Sequence, residues 1–264
     1  MAPPTHFKLN TGALIPAVGL GNENEVGQGI RDSGVPRKDI FITSKLWNTH
    51  HPNVKEGLQK TLDSLGTDYL DLYRASAGKP GWHRSVDRSW DQNETWRQME
   101  EVYKAGMVKA VGLANWSIPY LEELRKTWTV VPAVNQVELH PFLPQHELRE
   151  YCDKLGILLE AYSPLGSTGA PIMSDPEIQQ IADKNGVSAA TILISYHVNK
   201  GVVVLPKSVS EKRIASNREV ISLSKEDLYV LDSMAAAGKA KRLNTPLWGF
   251  DLGFADWYGP VKSQ

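Results

Sequence analysis

Short apolar runs alternate with segments of helical periodicity along most of the chain. Residues 5–10 and 13–18 read as two short strands joined at Thr11-Gly12, a hairpin signal. After them, apolar runs bounded by turn residues occur at 40–43, 69–73, 108–113, 133–137, 157–162 and 202–205, each short enough for a strand buried on both faces. Between these runs, residues 54–65, 94–104, 118–126, 145–155 and 176–185 carry apolar side chains near 3.6 periodicity. Gly66, Gly106, Gly156, Gly186 and Gly201 fall where helices end and a left-handed cap is wanted. So regular an alternation predicts parallel strands with right-handed crossovers, hence an α/β protein, either a doubly wound sheet or a (β/α)8 TIM-type barrel. No Gly/Ser-rich spacer or charge block divides the chain, so residues 1–264 are expected to form one domain. A further helix at 225–237 and a Trp/Gly/Pro-rich tail at 246–260 follow. The tail is long for a loop and is expected to cover an opening in the body.

Composition narrows the function classes. With 29 basic and 30 acidic residues the chain has no global attraction to nucleic acid or anionic lipid, so neither is expected as a partner. No stretch approaches the roughly 18 apolar residues of a membrane span, and no basic segment leads into an apolar run. A cytoplasmic protein is expected, monomeric or weakly homodimeric. Cys152 is the only cysteine, which excludes an intramolecular disulfide and an all-cysteine metal cage; it reads as a small buried residue. The seven histidines are scattered. The pair His50-His51 lacks acidic partners at ligand spacing, so no metal site is expected.

In both candidate folds a ligand lies at the carboxyl ends of the strands. There the first run leads into Ser44-Lys45-Leu46-Trp47-Asn48, placing Lys45 where it can lower the pKa of a neighbouring acid or orient a substrate oxygen, or else stand as a surface lysine. Asn115 follows the run 108–113, and Asn135, Gln136, Glu138 and His140 lie on or just after 133–137. Their amides suit an amide-bearing ligand or the loop backbone equally. Tyr162 ends its run and can stack on an aromatic ring or pack. The strongest local signal is residues 205–213, where a strand passes into a short helix. Lys207, Ser208 and Arg213 there suit a phosphate monoester, against the alternative of a capped helix with solvated charges. Neither GxGxxG nor GxxxxGK[ST] occurs. Trp47, Trp116 and Trp248 are candidate pocket walls.

Phe-Ile-Thr-Ser-Lys-Leu-Trp-Asn at 41–48, Val-Asn-Gln-Val-Glu-Leu-His-Pro at 134–141 and Leu-Pro-Lys-Ser at 205–208, in this order and with their flanks, resemble the aldo-keto reductases over most of the chain. That family folds as a (β/α)8 barrel and transfers hydride from NADPH to aldehydes and ketones. The resemblance implies NADP(H) as cofactor and a small-molecule carbonyl substrate. It implies that Lys45 tunes a catalytic tyrosine, that Asn115 and Gln136 hold the nicotinamide carboxamide, and that Tyr162 stacks on its ring. Ser163 and Leu165 would line the pyrophosphate path. Lys207, Ser208 and Arg213 would grip the adenosine 2′-phosphate, with Asn217 near the adenine. Ser216 departs from the acidic residue expected beside Asn217.

The resemblance breaks at the chemistry. After Val18-Gly19-Leu20-Gly21 the family continues through a helix and a strand bearing an aspartate and the proton-donating tyrosine, whereas this chain passes directly to Asn22-Glu23-Asn24-Glu25. One helix-strand step of roughly 30 residues is absent, so an incomplete barrel with an N-terminal hairpin is expected. Ser76 takes the place of the catalytic histidine, and residues 74–84 look unlike the family. Lys45 is left alone of the four catalytic side chains, with Tyr73 and His83 as substitutes off the motif. Three readings follow: a carbonyl reductase with a recruited acid, a cofactor-binding relative impaired in turnover, or a barrel serving another reaction.

Overall fold

The computed structural model describes residues 2–19, 26–78, 89–167, 169–245 and 251–257. A hairpin of β1 (His6–Lys8) and β2 (Leu14–Pro16) opens the chain, registered His6 to Pro16. Gly12 turns it at φ 87°, a left-handed conformation that favours glycine. Then come α1 (Val26–Ser33), β3 (Thr43–Leu46), α2 (Val54–Leu65), β4 (Leu72–Ser76), α3 (Gln92–Lys104), β5 (Val111–Ala114), α4 (Ile118–Arg125), β6 (Val134–Glu138), α5 (His146–Leu155) and β7 (Leu158–Tyr162). The chain continues with α6 (Pro176–Asn185), α7 (Ala189–Asn199), β8 (Val203–Leu205), α8 (Glu211–Ser216) and α9 (Lys225–Ser233).

The six strands β3 to β8 form one parallel sheet in chain order. Beyond β8 the sheet gains a short extension from the chain after the hairpin. Val18 bridges Val204 in parallel, with Gly19 N–H donating to the Val204 carbonyl at 3.0 Å and Val204 N–H to that of Ala17 at 2.9 Å. Among the described residues no pairing joins this extension to β3 at the opposite edge. Among the described residues the barrel is thus incomplete where the sequence lacks a helix-strand step, and they hold no further strand between the extension at Val18 and β3. An exposed edge of this kind is what full closure removes.

The hairpin closes the amino-terminal end of the sheet. Leu9 and Ile15 pack with Leu72, Ala110, Ala133, Val134 and Val203, residues at or just before the starts of strands. The larger core sets the outer sheet face against the helices. In α2, Val54, Leu58, Leu62 and Leu65 share one face and are buried, each fully buried aliphatic contributing about 1.5–3 kcal/mol. Gly66 ends this helix at φ 66° and returns its N–H to the carbonyls of Leu62 and Asp63. Cys152 is fully buried, and burial pushes its thiol up to about 12.

Two sequence expectations need correction. The runs 40–43 and 69–73 become paired strands only at Thr43 and Leu72, because the Asp71 carboxylate takes the Ile42 N–H (2.9 Å) and pairs with Arg37 and Lys109 below the sheet. Lys45 consequently lies within β3 rather than at its junction with the loop. Helix α7 carried no periodic signal because nine of its residues are buried all round its circumference, which erases amphipathicity.

Candidate active site

Parallel pairing aligns all the strand ends, so the polar residues singled out in the sequence come to one end of the sheet. Lys45 stands in register with Arg74 on β4, and Ser76, the last residue of β4, with Ala114. Gln136 lies beside Ala114, and Glu138 pairs with Tyr162, which in turn pairs with Leu205. Lys207 and Ser208 follow β8 directly.

Asn115 sits just past β5 at φ 61°, a left-handed position that asparagine tolerates, and donates its N–H to the Gln136 carbonyl at 2.8 Å. The neighbouring turn is pinned by the fully buried Asn135, whose amide donates to the Trp116 carbonyl at 2.8 Å and accepts the Trp116 N–H at 3.3 Å. Of the two adjacent amides, Asn135 therefore satisfies loop backbone. Gln136 instead donates Nε2 to Glu160 Oε2 at 3.3 Å.

Glu160 anchors a network that the sequence did not reveal. It is fully buried and accepts Arg74 Nη1 at 2.8 Å. Glu160 Oε1 and Arg74 Nε have no partner among the described residues. Gly112, beside Arg74, lets the neighbouring strand approach, since a β-carbon there would stand 2.5 Å from Val134 Cγ2. The apolar look of the strands hid the ion pair because its partners lie 86 residues apart.

After β7 the backbone turns sharply: Ser163 (φ 52°), Gly166 (φ 98°) and Ser167 (φ 62°) all adopt left-handed conformations, and Gly166 N–H closes back on the Ser163 carbonyl at 2.9 Å. Leu165 is half-buried and packs against both helical cores. Burial raises the Tyr162 hydroxyl above its ordinary range, and the Glu138 charge adds to this. Beyond β8, Arg213 Nε donates to Ser208 Oγ at 3.2 Å, so a guanidinium and a hydroxyl converge one residue after the exposed Lys207. Asn217 is buried at the end of α8, and Ser216 spends its hydroxyl on the Arg213 carbonyl at 3.2 Å.

A cavity of about 510 Å³ lies beside the open edge of β3. Lys45, Thr43, Trp47 and Tyr73 line it, with α1 and α2 forming the outer wall. Trp47 is a wall as expected. Trp116 is 3% exposed, packs edge-on against Tyr120 at 6.1 Å, and with it lines a separate, smaller cavity beside Asp91 and Leu124. Trp248, His83 and the tail outside 251–257 lie beyond the described residues. Residues 251–257 do cover the body: Tyr120 donates its hydroxyl to the Asp251 carbonyl at 2.6 Å, and Leu252, Phe254 and Trp257 join the main core. Arg242 fastens this stretch, bonded twice to Asp256 at 2.8 and 2.9 Å and stacked over the Phe254 ring. Among the described residues no group of three His, Cys, Asp or Glu is placed to hold a metal ion, and no helix is long and apolar enough to cross a membrane.

Comparison with known proteins agrees with this geometry. The model of the aldo/keto reductase family matches residues 20–236. A D-galacturonate reductase of Hypocrea jecorina is 41% identical over 304 aligned positions, covering 96% of this chain and 98% of that protein. A chain of 264 residues cannot fill that alignment, so the alignment opens gaps in it, as a missing helix-strand step requires. A glycerol 2-dehydrogenase (NADP(+)) of Saccharomyces cerevisiae is 40% identical, over 92% of this chain and 94% of its own. The structure of the aldo-keto reductase AKR2E5 complexed with NADPH superimposes with a TM-score of 0.87 at 28% identity, covering 99% of this chain and 95% of its own; the same protein from the silkworm Bombyx mori gives 0.86. With the family model over most of its length and full-length relatives near 40% identity, the chain belongs to the aldo/keto reductase family.

Proposed function

We propose that the chain is an NADP(H)-dependent oxidoreductase that reduces small aldehydes, ketones or sugar-derived carbonyls. The observation that carries this reading is the gathering of amide, aromatic and cationic side chains at the carboxyl end of one parallel sheet, in the family's order. The donor set suits the cofactor. The amides of Asn115 and Gln136 are of a kind that suits a carboxamide, the Tyr162 ring suits stacking on a ring, and Ser163 and Leu165 belong to the turn proposed for the diphosphate. Lys207, Ser208 and Arg213 match the charge and donor geometry of a 2′-phosphate, with Asn217 toward the adenine. When bound, the dinucleotide supplies the hydride. Lys45 and Tyr73 both line the cavity, but they alternate to opposite faces of the sheet, Lys45 in register with Arg74 and Tyr73 with Ser44, so the role proposed for the Lys45 ammonium is to orient a substrate oxygen. A single cysteine, unable to form an intramolecular disulfide, fits a reducing compartment, so a cytoplasmic location is proposed, with the chain monomeric or weakly dimeric.

A second reading, a relative that binds the dinucleotide with little turnover, is favoured by Ser76 at the histidine's place and by the open edge of β3. Loss of a general acid costs about 10²–10⁴ in rate. One paired experiment separates the two: NADPH is titrated by tryptophan fluorescence, and its oxidation is then followed with a panel of aldehydes and D-galacturonate. Saturable quenching with oxidation that disappears in Tyr73→Phe or His83→Ala supports a reductase with a recruited acid. Quenching without oxidation supports the impaired relative, and absence of quenching by folded protein refutes both.

A further inference from the structure

Glu138, the last residue of β6, is fully buried and belongs to none of the roles assigned above. Its two carboxylate oxygens reach across to a segment more than a hundred residues away: Oε1 accepts Leu243 N–H at 2.7 Å and Oε2 accepts Asn244 N–H at 3.0 Å. His140 Nε2 lies 3.0 Å from Oε1. Burial by itself would raise this carboxyl, but the bonds from His140, Leu243 and Asn244 outweigh it and hold the group below the usual carboxylate range. It therefore acts as a charged acceptor at neutral pH.

The segment so held delivers one side chain to the turn after β7. Asn244 Nδ2 donates to Ser163 Oγ at 3.3 Å, and Asn244 Oδ1 accepts the Ser167 hydroxyl at 2.8 Å. Both serines are non-glycine residues at positive φ, conformations that persist only where surrounding contacts enforce them. One residue before Leu243, Arg242 is buried and locked to Asp256, so the covering stretch 251–257 is tied to the same point.

We propose that Glu138 and Asn244 form a latch that presets the turn at residues 163–167 to receive a dinucleotide diphosphate, coupling cofactor affinity to the docked C-terminal stretch. Glu138 and Asn244 are positioning residues: neither touches the ligand, and both act through Ser163 and Ser167. The proposal rests on the dinucleotide reading above, and the test keeps the two apart.

The probes are NADPH, which spans the turn, and adenosine 2′-monophosphate, which carries the 2′-phosphate and adenine but no diphosphate. Wild type, Asn244→Ala and Glu138→Gln are titrated with each. Loss of two neutral hydrogen bonds to the turn is expected to weaken NADPH about tenfold in Asn244→Ala, with adenosine 2′-monophosphate binding unchanged. Glu138→Gln retains one carboxamide oxygen for two N–H groups and is expected to move NADPH the same way by a smaller factor. Equal weakening of both probes would mark a general structural role and overturn the latch, as would unchanged NADPH affinity in Asn244→Ala. Wild-type protein that binds neither probe would instead overturn the dinucleotide reading itself.

Discussion

Replacing Arg74 by leucine removes one partner of an ion pair at 2.8 Å whose side chains are 6% and 0% exposed. At an effective dielectric constant of about 20, two charges at that separation attract by about 6 kcal/mol, much of it offset by the cost of taking both out of water. Removing only the guanidinium leaves that offset in place for Glu160, whose Oε1 has no partner among the described residues. The expected loss is about 3–5 kcal/mol, and for a chain of this size each kcal/mol lowers Tm by roughly 2–4 °C. Calorimetry of Arg74→Leu at neutral pH should thus show a fall of about 6–20 °C. Arg74→Leu with Glu160→Met should recover most of it, since no charge is then left buried. Because Glu160 also receives Gln136, the double variant should weaken NADPH while the single variant barely does. A single variant within about 2 °C of wild type, or a double variant no more stable than the single, would refute the reasoning.

Two further outcomes follow from the geometry. Lys207→Ala and Arg213→Ala should each weaken NADPH by about tenfold and leave NADH nearly unchanged, as fluorescence titration will read; equal losses for both cofactors would remove the 2′-phosphate assignment. Burial lowers His51 to about 4, against a smaller opposing effect of the nearby Gly78 backbone. Its folded pKa lies below the unfolded value, so the unfolded state takes up the proton first on acidification. The stability contributed by neutral His51 is present above pH 6.5 and is lost as pH falls toward about 4, a swing on the order of 3 kcal/mol. NMR titration of the imidazole tests this directly, and a midpoint near 6.5 would contradict it.

Much of the fold was legible because its determinants are local. The helix at Val54–Leu65 lies where the apolar spacing and Gly66 set it, as do Pro176–Asn185 and the caps at Gly156 and Gly186. The elements that escaped are those whose signal is not local. Helix α7 is wrapped in core and carries no stripe, and the true starts of β3 and β4 depend on the Asp71 carboxylate reaching Ile42. In the candidate site, Lys45, Gln136 and Tyr162 were found because polar residues at the ends of apolar runs are conspicuous. Arg74, Glu160 and Asn244 carry no such signal, since a charge inside a strand or an asparagine in a loop has no meaning until its partner is located.

The sequence by itself determined the alternation of strand and helix, the family, the loss of one helix-strand step and the set of residues that meet at the strand ends. These follow from periodicity, turn chemistry and motif order, all of which act over a few residues. Only the tertiary structure decided that among the described residues nothing joins β3 to the extension at Val18, that a cavity lies along that edge, and that Glu138 carries the C-terminal segment to the turn at Ser163. Hydrogen bonds and ion pairs between residues 81 to 106 positions apart are set by how the layers pack. No window of sequence contains both partners.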